Sequence, residues 1–342
     1  MRGYNSMKKL ELGVAYHDNR ILKSIKEDMQ DIVRHNMNLV VHVFTHNDIR
    51  RHKGIMKDVF EVTRDAGLDF WVDNFGLSGP PNAPNHITQF YPGTNRVYSN
   101  GGIDPWNICY TAPGLMEITK LWVDTVGEIG GKKLFWDEPH LETYDTGVFA
   151  CRCERCQKLF YEKFGYEMPK TLTPDVEKFR MDSMTDYFTK ATEYAANNGM
   201  ENIVCLMPSS LGFTDAIIDI PSVHNMGTDP YWYGTEHEPF SYVYNSSKKF
   251  LDKTEKHNKN NHIWIQSYRV PEGRENEIHL AADAAYDAGA RTILAWSFRG
   301  GEGCDYRAER CDMVWHTTGE AMRRLRDRYQ DDMLNEARKG LK

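Results

Sequence analysis

Eight short apolar runs alternate with amphipathic helical segments along the 342 residues of the chain. This alternation predicts a parallel sheet, because each helix returns the chain to the start of the next strand. Eight such repeats in a chain of this length favour a closed barrel over an open sheet. We therefore predict an α/β fold, a (β/α)8 TIM barrel that forms a single domain over residues 1–342. The strand-like runs are 11–17, 38–46, 68–76, 133–139, 201–208, 224–232, 262–270 and 291–301.

One segment interrupts this alternation. Residues 77–112, between the third and fourth strand-like runs, contain GLSGPPNAPN and YPGTNRVYSNGGIDPW. Gly, Pro and Asn favour turns, and a long loop inside a compact domain usually has a function. We predict that 77–112 is a long loop on the side of the third strand, inserted before the fourth.

Charge and hydropathy narrow the classes of function. The net charge is −7 and no basic patch is evident, so we expect no binding to nucleic acid. No apolar run is long enough to span a membrane, and no signal-peptide-like apolar region precedes the first strand. We expect a cytoplasmic protein that does not bind membranes. The sequence leaves open whether the chain forms a homo-oligomer.

Polar and aromatic side chains follow the predicted strands. In a (β/α)8 barrel the C-terminal strand ends meet at one face, and the active site forms there. Each residue taken singly could equally cap a helix or form a surface ion pair, so the argument rests on the set. The predicted pocket residues are His17, His46, Asp73, Asp137, Glu138, Asp229, Tyr231, Gln266, Arg269, Trp296 and Arg299.

Two adjacent carboxylates end the fourth strand in the sequence FWDEP. Because side chains alternate along a strand, one of Asp137 and Glu138 is expected to face the pocket, with the other turned toward a loop or helix end. A carboxyl group beside the aromatic ring of Trp136 can have a raised pKa, which suits a general acid. The alternative interpretation is a helix-capping Asp followed by a surface Glu.

The cysteines form a more specific pattern. The sequence CRCERC supplies Cys151, Cys153 and Cys156, one thiolate fewer than a tetrahedral zinc site needs. Cys109 lies in the preceding loop and can supply the fourth, whereas Cys205 lies in an apolar strand and is expected in the core. We predict a structural Zn²⁺ bound by four cysteines. The alternative is a set of reduced thiols without a metal. A disulfide framework is not expected, because the chain has an odd number of cysteines, seven in total.

These motifs resemble those of the β-galactosidases of glycoside hydrolase family 42 and their TIM-barrel relatives in clan A. The resemblance is clearest over residues 109–168, where an aromatic residue and Glu end the fourth strand and a C-x-C-x-x-C run opens a helix. It implies that Glu138 is the acid/base. It also implies a zinc site formed by Cys109, Cys151, Cys153 and Cys156.

The chain departs from that clan at two positions. Asp137 stands where the clan has Asn before the acid/base. The clan's nucleophile is a Glu near the end of the seventh strand, where this chain has Gln266 in WIQSYRV. Glu272 and Glu275 follow, but in a loop and at a helix start.

A second carboxylate is available at the sixth strand, where GTDPYW places Asp229. Strands four and six are not adjacent, so their ends leave room for a water between the carboxylates. That separation suits inversion, with Glu138 as the acid and Asp229 as the base, and Asp73 is a third candidate; the sequence leaves open whether the reaction retains or inverts configuration. The alternative for Asp229 is a turn residue, because Asp-Pro is a turn dipeptide. The aromatic residues expected to contact the sugar are Trp136, Tyr231, Trp232 and Trp296.

The leading functional hypothesis is a glycoside hydrolase with a carbohydrate substrate. A rival is a metal-dependent sugar isomerase or lyase, in which His17, His46, Glu138 and Asp229 would bind a divalent ion. A third hypothesis is a barrel that binds glycans without catalysis, since Gln266 cannot act as a nucleophile.

Overall fold

A computed structural model describes residues 8–17, 19–75 and 87–340. All eight predicted barrel strands are present, and the TIM-barrel prediction is confirmed. Within the described residues the strands are β1 Glu11–Tyr16, β2 Leu39–Val43, β3 Asp69–Asp73, β4 Asn95–Val97, β5 Ile103–Ile108, β6 Lys133–Trp136, β7 Glu201–Leu206, β8 Asn225–Thr228, β9 Asn260–Gln266 and β10 Thr292–Trp296.

Helices connect the strands as the alternation predicts. The first predicted helical face is observed, because Ile25, Met29 and Ile32 are fully buried. The helices are α1 Leu22–Arg34, α2 His46–Arg51, α3 Lys53–Asp65, α4 Ile87–Phe90, α5 Pro113–Glu128, α6 Glu154–Phe164, α7 Pro174–Asn197, α8 Thr214–Ile217, α9 Pro239–Lys256, α10 Glu277–Asp287 and α11 Cys311–Gly340, with 3-10 helices at Pro208–Phe213 and Phe298–Gly301.

The strand order closes the sheet into a barrel, β1-β10-β9-β8-β7-β6-β3-β2. The pairs β1–β2, β1–β10, β9–β10, β3–β6 and β6–β7 are parallel. Parallel strands place their C-terminal ends on one face. The strand-end residues predicted above come directly after these ends, and TIM barrels carry their active sites at this face.

The barrel core depends on one close approach at β8. A Cβ atom at Gly227 would lie 2.1 Å from Nε2 of His262, so any larger residue would displace this ring. His262 is fully buried, and burial lowers the pKa of its imidazole to about 3. The ring is therefore neutral at physiological pH and fills the core.

The loop predicted at 77–112 contains regular structure in the part that is described. Residues 77–86 lie outside the described residues, but 87–112 contain α4 and an antiparallel hairpin formed by β4 and β5. The hairpin turns through Gly101, which has a positive φ of 93°. Its strands are short and rich in turn-forming residues, which is why the composition indicated a loop.

Close contacts divide the chain into two compact units. The first consists of residues up to His42, Asp58–Phe70, and the chain from Gly227 onward. The second consists of Val43–Lys57 and Trp71–Met226, and it includes the β4–β5 hairpin, β6 and β7. Organisation as a single domain stays a prediction.

No helix within the described ranges has the length and apolar character that crossing a membrane requires.

Candidate functional site

Three carboxyl groups of the second unit lie within electrostatic reach of one another. The pKa of Asp73 is raised to about 8, mainly by burial. The Phe75 N–H, which donates to Oδ1 at 2.7 Å, acts to lower this pKa, whereas the charge of Glu138 acts to raise it. Burial, and then the charges of Asp73 and Glu138, raise the pKa of Asp137 well above its usual value. Asp137 is buried and Glu138 is half-buried. Glu138 is thus the more accessible of the adjacent pair.

The backbone of Glu138 is strained. Its φ is +37°, a conformation that non-glycine residues rarely adopt and that costs roughly 1–3 kcal/mol. Such strain is concentrated at active sites, where surrounding contacts hold it in place. A positive φ is also found at three other non-glycine residues that follow barrel strands, Phe75, Arg269 and Arg299.

Several buried polar atoms at or after the ends of β2 and β3 in the second unit have no hydrogen-bond partner among the described residues. They are Oδ2 of Asp73, both amide atoms of Asn74 and Nδ1 of His46. Burial, and then the positive charge of Arg50, lower the pKa of His46, so this ring is neutral. An unpartnered buried polar atom is costly, which makes these atoms candidates for contact with water or a ligand.

A polar network supports the Glu138 backbone. Nδ1 of His140 donates a hydrogen bond to the Glu138 carbonyl at 2.7 Å, and its Nε2 lies 3.3 Å from Oε1 of Glu142. The same Oε1 accepts from Nη1 of the fully buried Arg96 at 2.8 Å, and Arg96 Nε donates to the carbonyl of Ile108. Sequence reasoning missed this network; the available signal was the pair of polar residues, His140 and Glu142, that follows FWDE.

The four predicted cysteines are brought together. The sulfur atoms of Cys109, Cys151, Cys153 and Cys156 all lie within 4.8 Å of one another. Cys109 Sγ is 3.4 Å from Cys156 Sγ and 3.8 Å from Cys153 Sγ. Four thiolates bound at about 2.3 Å to a tetrahedral ion lie about 3.8 Å apart, so the cluster has the size to hold a metal.

The hairpin positions these cysteines through its backbone. The N–H of Cys109 donates to the carbonyl of Thr94 at 2.8 Å, next to β4. The N–H of Val97 lies 3.4 Å from the sulfur of Cys151, and the N–H of Arg152 donates to the carbonyl of Val97 at 2.7 Å. The part of the predicted loop that folds as a hairpin therefore orders the cluster.

In the first unit, Asp229 is almost completely buried after β8. Its carbonyl accepts a hydrogen bond from Tyr231 N at 2.7 Å, and the Tyr231 ring meets that of Tyr268 edge-on. Burial, and then the charge of Asp229, raise the pKa of Tyr242. The proposed role of Asp229 as a catalytic base stays a prediction.

Gln266 has a structural position at the end of β9. Its Oε1 accepts from the backbone N of Tyr233 at 2.8 Å, and its Nε2 donates to the carbonyl of Tyr268 at 3.3 Å. The exposed Arg269 stacks on Tyr306, with its guanidinium carbon 4.2 Å from the ring centre. Both polar groups of Gln266 thus hold loop backbone.

Two tryptophans predicted to contact a sugar are core residues instead. Trp136 and Trp232 have no exposed surface. The indole N–H of Trp136 donates to Asn202, and that of Trp232 to Glu277. Sugar stacking needs an open ring face, so the expectation for these two residues is corrected. The sequence alone does not distinguish an aromatic residue at a strand end that faces the pocket from one that faces the core.

The third tryptophan, Trp296, is half-buried and stacks on His17, with ring centres 5.8 Å apart. Arg299 binds Glu302 and Asp312, as a surface ion pair would. A cavity of about 360 Å³ in the first unit is lined by Tyr16, His17, Asn19, Asp28, Phe298, Arg299, Gly301, Glu302 and Gly303.

The described residues contain one group of three or more His, Cys, Asp or Glu side chains close enough to share a metal, and it is the cysteine cluster. Asp73, Asp137 and Glu138 do not form such a group. The set required by the isomerase hypothesis, His17, His46, Glu138 and Asp229, is likewise not among the groups found.

Several solved structures have a similar fold. The catalytic domain of β-amylase from Paenibacillus polymyxa is 9% identical, with a TM-score of 0.62 over 86% of this chain and 94% of that one. The β-galactosidase from the psychrophilic Marinomonas ef1 is 12% identical, with a TM-score of 0.66 over 91% of this chain. The endo-1,4-β-mannanase from Rhizomucor miehei is 10% identical, with a TM-score of 0.62 over 94% and 97% of the two chains.

At these identities the likeness shows the fold alone. The chain spans 59% of the length of the Marinomonas β-galactosidase. No protein-family model matches the sequence, and no curated protein is similar to it. The chain is thus a (β/α)8 barrel whose solved structural neighbours include enzymes named for sugars, and its resemblance to family 42 stays a prediction.

Proposed function

We propose that this protein is a glycoside hydrolase in which Glu138 is the general acid. The observation that carries the proposal is the environment of Glu138, a half-buried carboxyl in a strained backbone that follows a barrel strand and adjoins two buried carboxyls. Paired carboxyl groups with different environments are the chemical requirement for glycoside hydrolysis.

Asp137 suits this role despite the departure from the clan's Asn. Burial, and then the charges of Asp73 and Glu138, raise the pKa of this carboxyl and so favour its protonated form. A protonated carboxyl is neutral and can both donate and accept hydrogen bonds, as an Asn side chain does. Asp137 is therefore proposed to position substrate or Glu138, and not to transfer a proton itself.

The proposed reaction uses inversion. Glu138 gives its proton to the glycosidic oxygen while the bond from that oxygen to the sugar carbon breaks. A water attacks the same carbon from the opposite face, and a carboxylate base takes the proton released by the water. Gln266 holds loop backbone and is assigned no chemical step.

The names of the structural neighbours support a carbohydrate substrate. The three reported above are a β-amylase, a β-galactosidase and an endo-1,4-β-mannanase. Each name refers to a sugar or a polysaccharide, but the three sugars differ. The neighbours therefore favour the class of reaction and leave the sugar open.

We also propose that the cysteine cluster binds Zn²⁺. Four thiolates at these separations are the ligand set of closed structural zinc sites, which leave no position for substrate. Soft sulfur ligands in a tetrahedral arrangement favour zinc over magnesium, calcium or manganese. The metal would join the end of the hairpin to the loop before α6, and the chemistry would remain with the carboxyl groups.

A Glu138→Gln variant tests the proposal on a panel of aryl glycosides and oligosaccharides. Removing a general acid is expected to lower kcat/KM about 10²- to 10⁴-fold, with unchanged circular dichroism and melting temperature. Glu162→Gln, an exposed carboxyl on α6, is the matched control and should keep wild-type activity. Undiminished turnover by Glu138→Gln would contradict the assigned role.

A further inference from the structure

The second unit contains a cavity that the proposed reaction does not use. Its volume is about 560 Å³, within the range of small-molecule sites. Residues from the hairpin, the segment after Glu138 and the 3-10 helix at Pro208–Phe213 line it. They are Tyr98, Asp104, Pro105, Trp106, His140, Leu141, Glu142, Thr143, Tyr144, Ser209, Ser210 and Phe213.

Two aromatic side chains that line the cavity are partly exposed. Trp106 is 46% exposed and Tyr144 is 49% exposed, although both are large apolar rings. Tyr144 is held in place, because its hydroxyl donates to the hydroxyl of Tyr98 at 3.1 Å and the two rings meet edge-on. Ordered, exposed aromatic faces suit a flat ligand with an apolar face and polar edges.

The cavity lining also includes the carboxylate of Glu142. Glu142 Oε1 is occupied by Arg96 at 2.8 Å, Asn107 at 3.1 Å and His140 at 3.3 Å. Glu142 Oε2 has no partner among the described residues, and its side chain is only 9% exposed. Although burial raises it, the charge of Arg96 lowers the pKa of Glu142 to about 2, so this oxygen is an acceptor throughout the neutral range.

The cavity is physically linked to Glu138. The His140 ring lines the cavity, and its Nδ1 donates to the Glu138 carbonyl at 2.7 Å. The cavity therefore borders a residue that holds the Glu138 backbone. Ser209 and Ser210 also line the cavity and add hydroxyl groups that can donate hydrogen bonds.

We propose that this cavity binds a sugar ring of an oligosaccharide, with Trp106 as its stacking surface and Glu142 Oε2 as a hydroxyl acceptor. The proposal rests on the proposed function and deepens it, because it makes the substrate an oligosaccharide with a sugar on the cavity side of Glu138. Stacking of a sugar on an aromatic face, together with a charged acceptor, supplies both affinity and orientation.

Binding of maltotetraose, mannotetraose and galactotetraose to the full-length Glu138→Gln protein tests this inference by calorimetry. We expect at least one tetrasaccharide to bind, and Trp106→Ala in the same background to weaken its binding at least tenfold. Trp106→Phe, which keeps a ring, should restore part of the affinity. Tyr161→Ala removes a 57% exposed ring on α6 that does not line the cavity and should bind normally.

The inference is overturned if no tetrasaccharide binds, or if Trp106→Ala and Tyr161→Ala bind equally well. Its failure is distinguishable from failure of the proposed function, because binding is measured without turnover. In otherwise wild-type protein, Trp106→Ala should lower kcat/KM for the bound tetrasaccharide, whereas Tyr161→Ala should keep the wild-type value. Equal kcat/KM values for the two folded variants would count against the sugar site.

Discussion

The ends of β6 and β9 carry similar residues but differ in how those residues are used. After β6, Glu138 is half-buried in a strained backbone, and its neighbour Asp137 is buried with a raised pKa. After β9, Gln266 is buried and both of its polar groups bond to loop backbone. A polar strand-end residue in a barrel can therefore be available for chemistry or committed to structure, and its hydrogen bonds distinguish the two.

The largest expected effect comes from disrupting the cysteine cluster, the proposed zinc site, which lies in the same unit as β6. Cys109→Ser should abolish binding of about one zinc per chain and lower the melting temperature by at least about 10 °C, because structural zinc binding supplies on the order of 10 kcal/mol. Metal analysis and calorimetry measure these quantities. Cys311→Ser in the first unit is the control.

Hydrogen exchange connects that variant to the comparison. In Cys109→Ser, peptides covering 133–156 should exchange faster, whereas peptides covering β9 should change little. Equal acceleration at β6 and β9 would show that the cysteine cluster does not act on the end of β6 selectively.

A smaller effect is expected when the end of β9 is given a carboxylate. Gln266→Glu keeps an acceptor for Tyr233 N but places the second oxygen against the Tyr268 carbonyl, to which Nε2 now donates. We expect a loss of about 1–3 kcal/mol in the free energy of unfolding at pH 8, and no gain in hydrolysis.

The loss in Gln266→Glu should be smaller at pH 5. The new carboxyl has a folded-state pKa above its unfolded value, so its protonated form is favoured in the fold and stability falls as pH rises through that pKa. Melting curves at both pH values measure this, with exposed Gln30→Glu as control. A stable variant with new hydrolytic activity would overturn the structural assignment of Gln266.

The smallest effect is expected at Asp73, on the β6 side of the comparison. Its pKa of about 8 exceeds that of an unfolded Asp, so the folded state loses stability between about pH 4 and pH 8 as the unfolded chain ionises. Asp73→Asn cannot ionise and so lacks this loss; at pH 8 it should raise the melting temperature by at least about 2 °C, the shift that corresponds to about 1 kcal/mol.

Near pH 4 the Asp73→Asn variant and the wild type should melt together. Asp145→Asn changes an exposed carboxyl of the same unit and is the control. A stabilisation that is the same at pH 4 and pH 8 would show that Asp73 does not hold a proton in the folded state.

Periodicity in the sequence was sufficient to predict the eight strands and the barrel, because each strand is defined by a local apolar run. Local spacing also predicted three of the clustered cysteines, and loop position predicted Cys109. The Arg96–Glu142 pair could not be predicted, because 46 residues separate its members and no short-range pattern relates them.

The burial of individual side chains was a second property that the sequence did not predict. Trp136 and Trp232 stand at strand ends, where the sequence predicts a pocket, yet neighbouring side chains cover both rings. The β4–β5 hairpin was missed because its strands are short and set among turn-forming residues. The burial of the two tryptophans depends on contacts between distant segments, which composition does not encode.

The left-handed backbone of Glu138 has an evolutionary consequence. Glycine adopts a positive φ without steric cost, so selection for heat resistance alone would favour glycine at position 138. That replacement would remove the carboxyl proposed to donate the proton. Directed evolution that screens only for folding is therefore expected to replace Glu138 by glycine and to lose the proposed activity, unless that activity is selected in the same round.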